Sequence, residues 1–214
     1  MYRDKIVLSK YKEIQREKMF EELTIQKYNE ILASKTPTPG GGSALAIVGT
    51  NACSLVEMAV NVTVAKLDAD SENCQYLQRE GKAVERAKTA LYRLANDDAA
   101  AFEQIVAARK LPKTTENEVK RREISLQKAY HNAALVPLDV MRVCSDLLAR
   151  SELRILPHLN KYVSSDCVIA IDLYKAIIRN CRVNVYANTC FITTPELKNL
   201  LERQCEEIMQ HVKQ

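Results

Sequence analysis

Asp98 stands where the sequence pattern asks for an apolar side chain. Val84, Ala87, Leu91, Leu94, Ala101 and Ile105 recur at the spacing of a helical core seam, and position 98 of that seam holds a carboxylate beside Asp97. A carboxylate on a core stripe costs on the order of several kcal/mol unless it is paired or hydrated. Two readings follow: a functional acid with an altered pKa, or a helix break at Asn96-Asp97-Asp98 with one Asp serving as a cap. Asp166 is a second acid of interest. It follows Ser164-Ser165 at a helix start, where the positive end of the helix dipole keeps a carboxylate ionised, although any first-turn acid profits in the same way.

A polar stripe offers further candidates. From Ala44 to Ala65 the chain is almost wholly apolar, yet Ser43, Thr50, Ser54, Glu57 and Asn61 fall within about 60° of one another on a helical wheel. Buried polar groups without partners cost about 1–3 kcal/mol each, so this stripe faces water, a hydrogen-bonded helix seam or a binding cleft. In the last case Glu57 and Asn61 point into it one turn apart. Asn184 and Asn188 repeat that spacing near a helix end, suited to gripping a flat heterocycle or to capping.

Directly before the apolar segment stands Thr36-Pro37-Thr38-Pro39-Gly40-Gly41-Gly42-Ser43, which spends three of the chain's five glycines. Bare backbone at a helix N-terminus can cradle an anion. No strand precedes it, so it is not a dinucleotide-binding or kinase loop. His131, His158 and His211 lie far apart, with no H-E-x-x-H and no metal-ligand spacing. Seven cysteines form no C-x-x-C and read as reduced thiols of a cytosolic protein. A formal charge of +4, dispersed along the chain, argues against nucleic acid. The segment Ala44 to Ala65 is long enough to span a bilayer, but Glu57 near its middle makes a buried central helix the better reading.

The elements that position these residues are helices. Residues 1–22 form a charged N-terminal extension, and 23–214 form one all-α domain of about six helices. Thr24 caps a short helix. Ser43 caps the apolar helix, which runs to about Lys66. A very long helix runs from about Asn73 to Lys110, and Pro112 ends it. Thr115-x-x-Glu118 is a capping box for a helix to about Arg150, bent or interrupted near Pro137. Ser164 and Ser165 cap a helix to about Asn188, and Pro195 opens a final amphipathic one. The alternation in "CRVNVYANTCFI" leaves a short strand open.

The stretch "SKTPTPGGGSALAIVGTNACSLVEMAVNVT" resembles the opening of the cyclodeaminase/cyclohydrolase family that acts on one-carbon tetrahydrofolates. The likeness continues through "NDDAAAFEQIVAARKLP", "AALVPLDVM", "NKYVSSDCVIAIDL" and "CRVNVYAN", covering about residues 24 to 192. The resemblance implies a helical bundle that dimerises, with its active site in a cleft lined by the Gly loop. It implies a formiminotetrahydrofolate cyclodeaminase or a methenyltetrahydrofolate cyclohydrolase in the cytoplasm, with no cofactor beyond the tetrahydrofolate substrate and no nucleic-acid or membrane partner. Asp98 and Asp166 are then the acid/base and electrostatic groups. Gly40, Gly41, Gly42 and Ser43 let a flat pterin approach the backbone. Asn61, Asn184 and Asn188 orient the heterocycle, Glu57 is a further substrate-binding residue of the cleft wall, and Lys66 meets the glutamate tail. A helical interaction module that has kept the fold and lost catalysis is the alternative.

Overall fold

A computed structural model describes residues 19–210 and Val212. It contains six α-helices, α1 (Ile25–Leu32), α2 (Gly41–Val64), α3 (Glu72–Arg109), α4 (Glu116–Arg150), α5 (Ser164–Thr189) and α6 (Pro195–Gln210), and no strand among the described residues. The segment that left a strand open is the end of α5 followed by a short loop. Most of the 1–22 extension lies outside the described residues. Its last part does not stand apart: Phe20–Glu22 forms a 3₁₀ turn whose Phe20 N–H donates to Asn96 Oδ1 on α3 (3.1 Å).

Helices α2, α3, α4 and α5 make a four-sided bundle in which each packs on the next and α5 closes back on α2, while α6 lies against α4 and α5. Ten residues of α2 are buried, so the apolar helix that passes a length test for a membrane span is a core element here. Six of the seven free cysteines are buried as small apolar side chains; Cys190 is exposed. At the far end of the bundle, Glu80 is buried on α3 and answered by Arg150 at the end of α4. A buried carboxylate needs such a partner.

The local signals mostly do what their chemistry dictates. Thr24 Oγ1 accepts from Lys27 N–H, Ser71 Oγ from Cys74 N–H, and Thr115 and Glu118 close a capping box. Two caps differ from expectation. The α2 N-cap is Gly40, so Ser43 sits inside the first turn with its hydroxyl turned to another helix. Helix α5 starts after Val163, and the Ser164 hydroxyl donates to Lys161 C=O instead of capping. Helix α4 runs unbroken through Pro137, and α3 runs unbroken through Asn96-Asp97-Asp98. The carboxylate on the core seam is therefore not a cap.

Candidate active site

Asp98 reaches across from α3 to the first turn of α2. Its Oδ2 accepts from Ser43 N–H at 2.8 Å and from Ser43 Oγ at 3.0 Å. The single Ser43 hydroxyl proton has a second acceptor, Ala95 C=O at 2.9 Å, so only the backbone bond to Asp98 is constant. Oδ1 has no hydrogen-bond partner among the described residues. Burial raises the Asp98 pKa above 3.8, and the two bonds from Ser43 oppose that rise.

The glycines now have a reason that sequence alone did not supply. None of them has positive φ. A Cβ on Gly42 would stand 2.1 Å from Asp98 Oδ1 and 2.6 Å from its Cγ, well inside contact distance. Gly42 is the space that the carboxylate occupies. A Cβ on Gly41 would meet nothing within 4 Å, so that residue is open to the cleft.

The cleft itself, about 230 Å³, lies at the mouth of the bundle. Pro37, Thr38 and Gly40–Gly42 form its rim; Asp98, Phe102 and Ile105 of α3, Ala133 of α4, and Asn184 and Asn188 of α5 form its walls. Asn188 is fixed by a defect in the neighbouring helix. Pro137 has no N–H, so the Ala133 carbonyl one turn earlier loses its helical donor. Asn188 Nδ2 donates to that carbonyl at 3.0 Å and to Asn184 C=O at 2.9 Å. The Asp98 charge is felt by Tyr28 of α1, a residue that in the sequence reads as ordinary core. It is buried, and its hydroxyl has no hydrogen-bond partner. Burial, then the Asp98 charge, push its pKa up to about 12.

With this geometry in view, comparison with known proteins is decisive. A sequence model described as formiminotransferase-cyclodeaminase matches residues 24–207. The chain belongs to that family. It is 34% identical over 168 residues to a methenyltetrahydrofolate cyclohydrolase of Methylorubrum extorquens, covering 77% of this chain and 78% of that one. It is 26% identical over 193 residues to the rat formimidoyltransferase-cyclodeaminase, covering 90% of this chain but 35% of the rat protein, so it spans about a third of that relative. The crystal structure of a formiminotetrahydrofolate cyclodeaminase from Thermotoga maritima superposes with a TM-score of 0.78 at 33% identity, over 90% of this chain and 91% of that one.

In this family member the expected site residues divide into two groups. Gly40, Gly41, Gly42, Asp98, Asn184 and Asn188 line one cleft, with Ser43 bracing Asp98 beneath it. Glu57, Asn61, Lys66 and Asp166 lie elsewhere. Glu57 and Asn61 line a separate groove of about 440 Å³ between α2 and α3, with Gln78, Gly81, Lys82 and Glu85. Fifteen residues of helix, about 22 Å, separate Glu57 from Gly42. Glu57 is paired with Lys88, while its Oε1 is buried without a partner. Lys66 lies past the end of α2, 5.8 Å from the centre of the Tyr162 ring. Asp166 is in the first turn of α5, eighteen residues and about 27 Å from Asn184. The polar stripe is thus not one wall. Thr50 and Ser54 turn back on helix carbonyls, at 2.8 and 3.0 Å, and serve the helix itself.

Proposed function

We propose that this protein acts at the N5–N10 one-carbon bridge of tetrahydrofolate, as a formiminotetrahydrofolate cyclodeaminase or a methenyltetrahydrofolate cyclohydrolase, in the cytoplasm and as a homodimer. The observation that carries the chemistry is Asp98: a carboxylate on a core seam, braced on one oxygen, open on the other, with a pKa raised by burial. The seven free thiols fit a reducing compartment.

Both reactions need the same service. In cyclodeamination, N10 attacks the formimino carbon and gives up its proton; the amino group on that carbon takes a proton and leaves as ammonia, producing the cationic methenyl bridge. In hydrolysis, water adds to the methenyl carbon and gives up a proton, then the carbon–N5 bond breaks as N5 is protonated and the remaining hydroxyl gives up its proton, producing the 10-formyl compound with one proton released. One group that accepts a proton and returns it serves either route, and its efficiency is greatest when its pKa lies near the working pH. Asp98 Oδ1, which no group among the described residues engages, is the atom assigned to that transfer in this reading, and a negative charge there favours the cation on either path. Phe102 and Ile105 supply an apolar wall for a flat ring, and Asn184 and Asn188 supply its polar edge.

The test follows the methenyl chromophore with purified protein. Its appearance from 5-formiminotetrahydrofolate with release of ammonia makes the protein a cyclodeaminase. Its loss above the spontaneous rate makes it a cyclohydrolase. Neither change, with no tetrahydrofolate binding, returns it to a helical interaction module. Asp98→Asn should lose about 10²–10⁴-fold in turnover.

A further inference from the structure

Residues 20–43 run out from one turn of α3 and back to it, carrying the rim of the cleft on the way. At the return, Ser43 N–H donates to Asp98 Oδ2 at 2.8 Å. At the departure, Phe20 N–H donates to Asn96 Oδ1 at 3.1 Å, and Asn96 Nδ2 donates to Glu21 Oε2 at 3.0 Å. The same nitrogen also donates to Tyr92 C=O within α3, at 2.9 Å. Asn96 does not line the cleft. The turn it holds, Phe20–Glu22, precedes residues 24–207 that match the family.

Between the two pins the segment is braced by its own side chains. Thr24 Oγ1 caps α1. The Ser34 and Thr36 hydroxyls lie 2.6 Å apart, Ser34 Oγ accepts from Thr36 N–H at 3.2 Å, and Thr36 Oγ1 donates to Thr38 C=O at 3.1 Å. Helix α1 buries Tyr28 and Ile31, and the Phe20 ring meets Tyr28 edge-on with centroids 5.6 Å apart.

Two effects of opposite sign act on this segment while it is seated. The Asn96 bonds hold it down, and a net hydrogen bond is worth about 2–10-fold in an equilibrium. Tyr28 opposes them, because its hydroxyl is buried without a partner. Lifting returns that hydroxyl to water, which favours release by about 5-fold or more. The seated cleft of about 230 Å³ is also smaller than the roughly 300 Å³ at which pockets for drug-sized ligands begin, so a ligand of that size needs the rim to lift.

We infer that residues 20–39 form a movable roof that turns where the chain enters α2 at Gly40, and that Asn96 is its latch, a positioning residue that sets the rim over the cleft without touching the ligand. Residues at the end of an element are the usual place for such a pivot. Ser43 lies beyond it and stays on Asp98 when the roof lifts. The latch therefore governs access and rim contacts while the acid keeps its place.

Hydrogen exchange read by mass spectrometry tests the roof whatever the protein catalyses. Asn96→Asp sets two carboxylates against each other at Glu21, so the amides of α1 should exchange about 5–100-fold faster while α2 and α5 keep their rates. Adding Glu21→Gln swaps donor and acceptor, since the Gln amide can donate to the new carboxylate, and should restore most of the protection. Single and double variants carry the same new carboxylate near Asp98, so their difference isolates the latch. Tyr28→Phe keeps the ring and should slow α1 exchange by about 5-fold or more. Equal acceleration in every helix, no gain from Glu21→Gln, or a Tyr28→Phe rate equal to wild type overturns the inference.

Kinetics then test the positioning role, and this step alone rests on the proposed function. Asn96→Asp should raise KM with kcat unchanged, the signature of lost binding with the reacting groups in place, and Glu21→Gln should bring KM back. A fall in kcat at constant KM means that position 96 acts on Asp98 directly, and overturns the positioning role. Exchange as expected with an inactive wild type would sink the proposed function and leave the roof standing.

Discussion

Replacing Gly42 by Ala adds one methyl group, and the structure says where it goes. Its Cβ arrives 2.1 Å from Asp98 Oδ1, 2.6 Å from Cγ and 2.9 Å from Oδ2. Ordinary carbon–oxygen contact needs more than about 3 Å, so the carboxyl must retreat by about 1 Å or rotate away. Either movement breaks the bonds from Ser43 N–H and Oγ. Hydrogen bonds to a charged group contribute about 1.5–3 kcal/mol each, and the half-buried carboxyl can recover part of this from water. The expected loss of stability is therefore about 1–3 kcal/mol. The effect on turnover should be larger relative to its cause, because a misplacement of about 1 Å in a reacting group costs on the order of 10²-fold. Gly41→Ala is the matched control. It adds the same methyl into open space, one residue earlier in the same helix turn, and should leave stability unchanged or raise it by up to about 1 kcal/mol. Thermal melts and steady-state kinetics on the pair decide the matter. If Gly42→Ala melts and turns over like Gly41→Ala, the carboxylate does not depend on that space and the account of the Gly loop is wrong.

Ser43→Ala removes a hydroxyl that holds Asp98 ionised but keeps the backbone donor, so the acidic limb of kcat/KM should move to higher pH. Because burial already raises the Asp98 pKa in the folded state, stability should fall as pH rises from the unfolded carboxylate range through that raised value, and chemical denaturation across pH reads the slope. Asn188→Ala should cost about 1–3 kcal/mol by stranding the Ala133 carbonyl; in a Pro137→Ala background, where the helix regains its own donor, the same change should cost clearly less. Arg150→Met strands the buried Glu80 carboxylate and should destabilise by up to about 3 kcal/mol, whereas Arg150→Lys should recover part of that loss.

Much of this arrangement could be read from the chain. Asp98 announced itself by breaking a periodic seam, and the run of glycines lay beside a helix start. What the seam could not say was which way the anomaly would resolve. A cap and a cross-bundle acid look alike until the partner is known, and Ser43 is 55 positions away. The Ser43 cap fails for the same reason: a hydroxyl at a helix start has a local acceptor role, and here a distant carboxylate outcompetes it. Helical-wheel angle grouped Ser43 with Asn61 because angle ignores rise, although eighteen residues set them about 27 Å apart. Tyr28 was invisible because a buried tyrosine on an amphipathic helix looks like ordinary core.

The amide of Asn188 is spent before any ligand arrives. Both hydrogens of its Nδ2 are committed, one to the carbonyl that Pro137 leaves bare on α4 and one to Asn184 C=O on its own helix. Only Oδ1 remains for the cleft, and an amide oxygen can only accept. A side chain that in solution could read either polarity has been made single-minded by a proline on another helix. At Asn188 the cleft can receive an N–H but cannot answer a carbonyl, because both of its donors are claimed in advance, one of them by a hydrogen bond that α4 is missing.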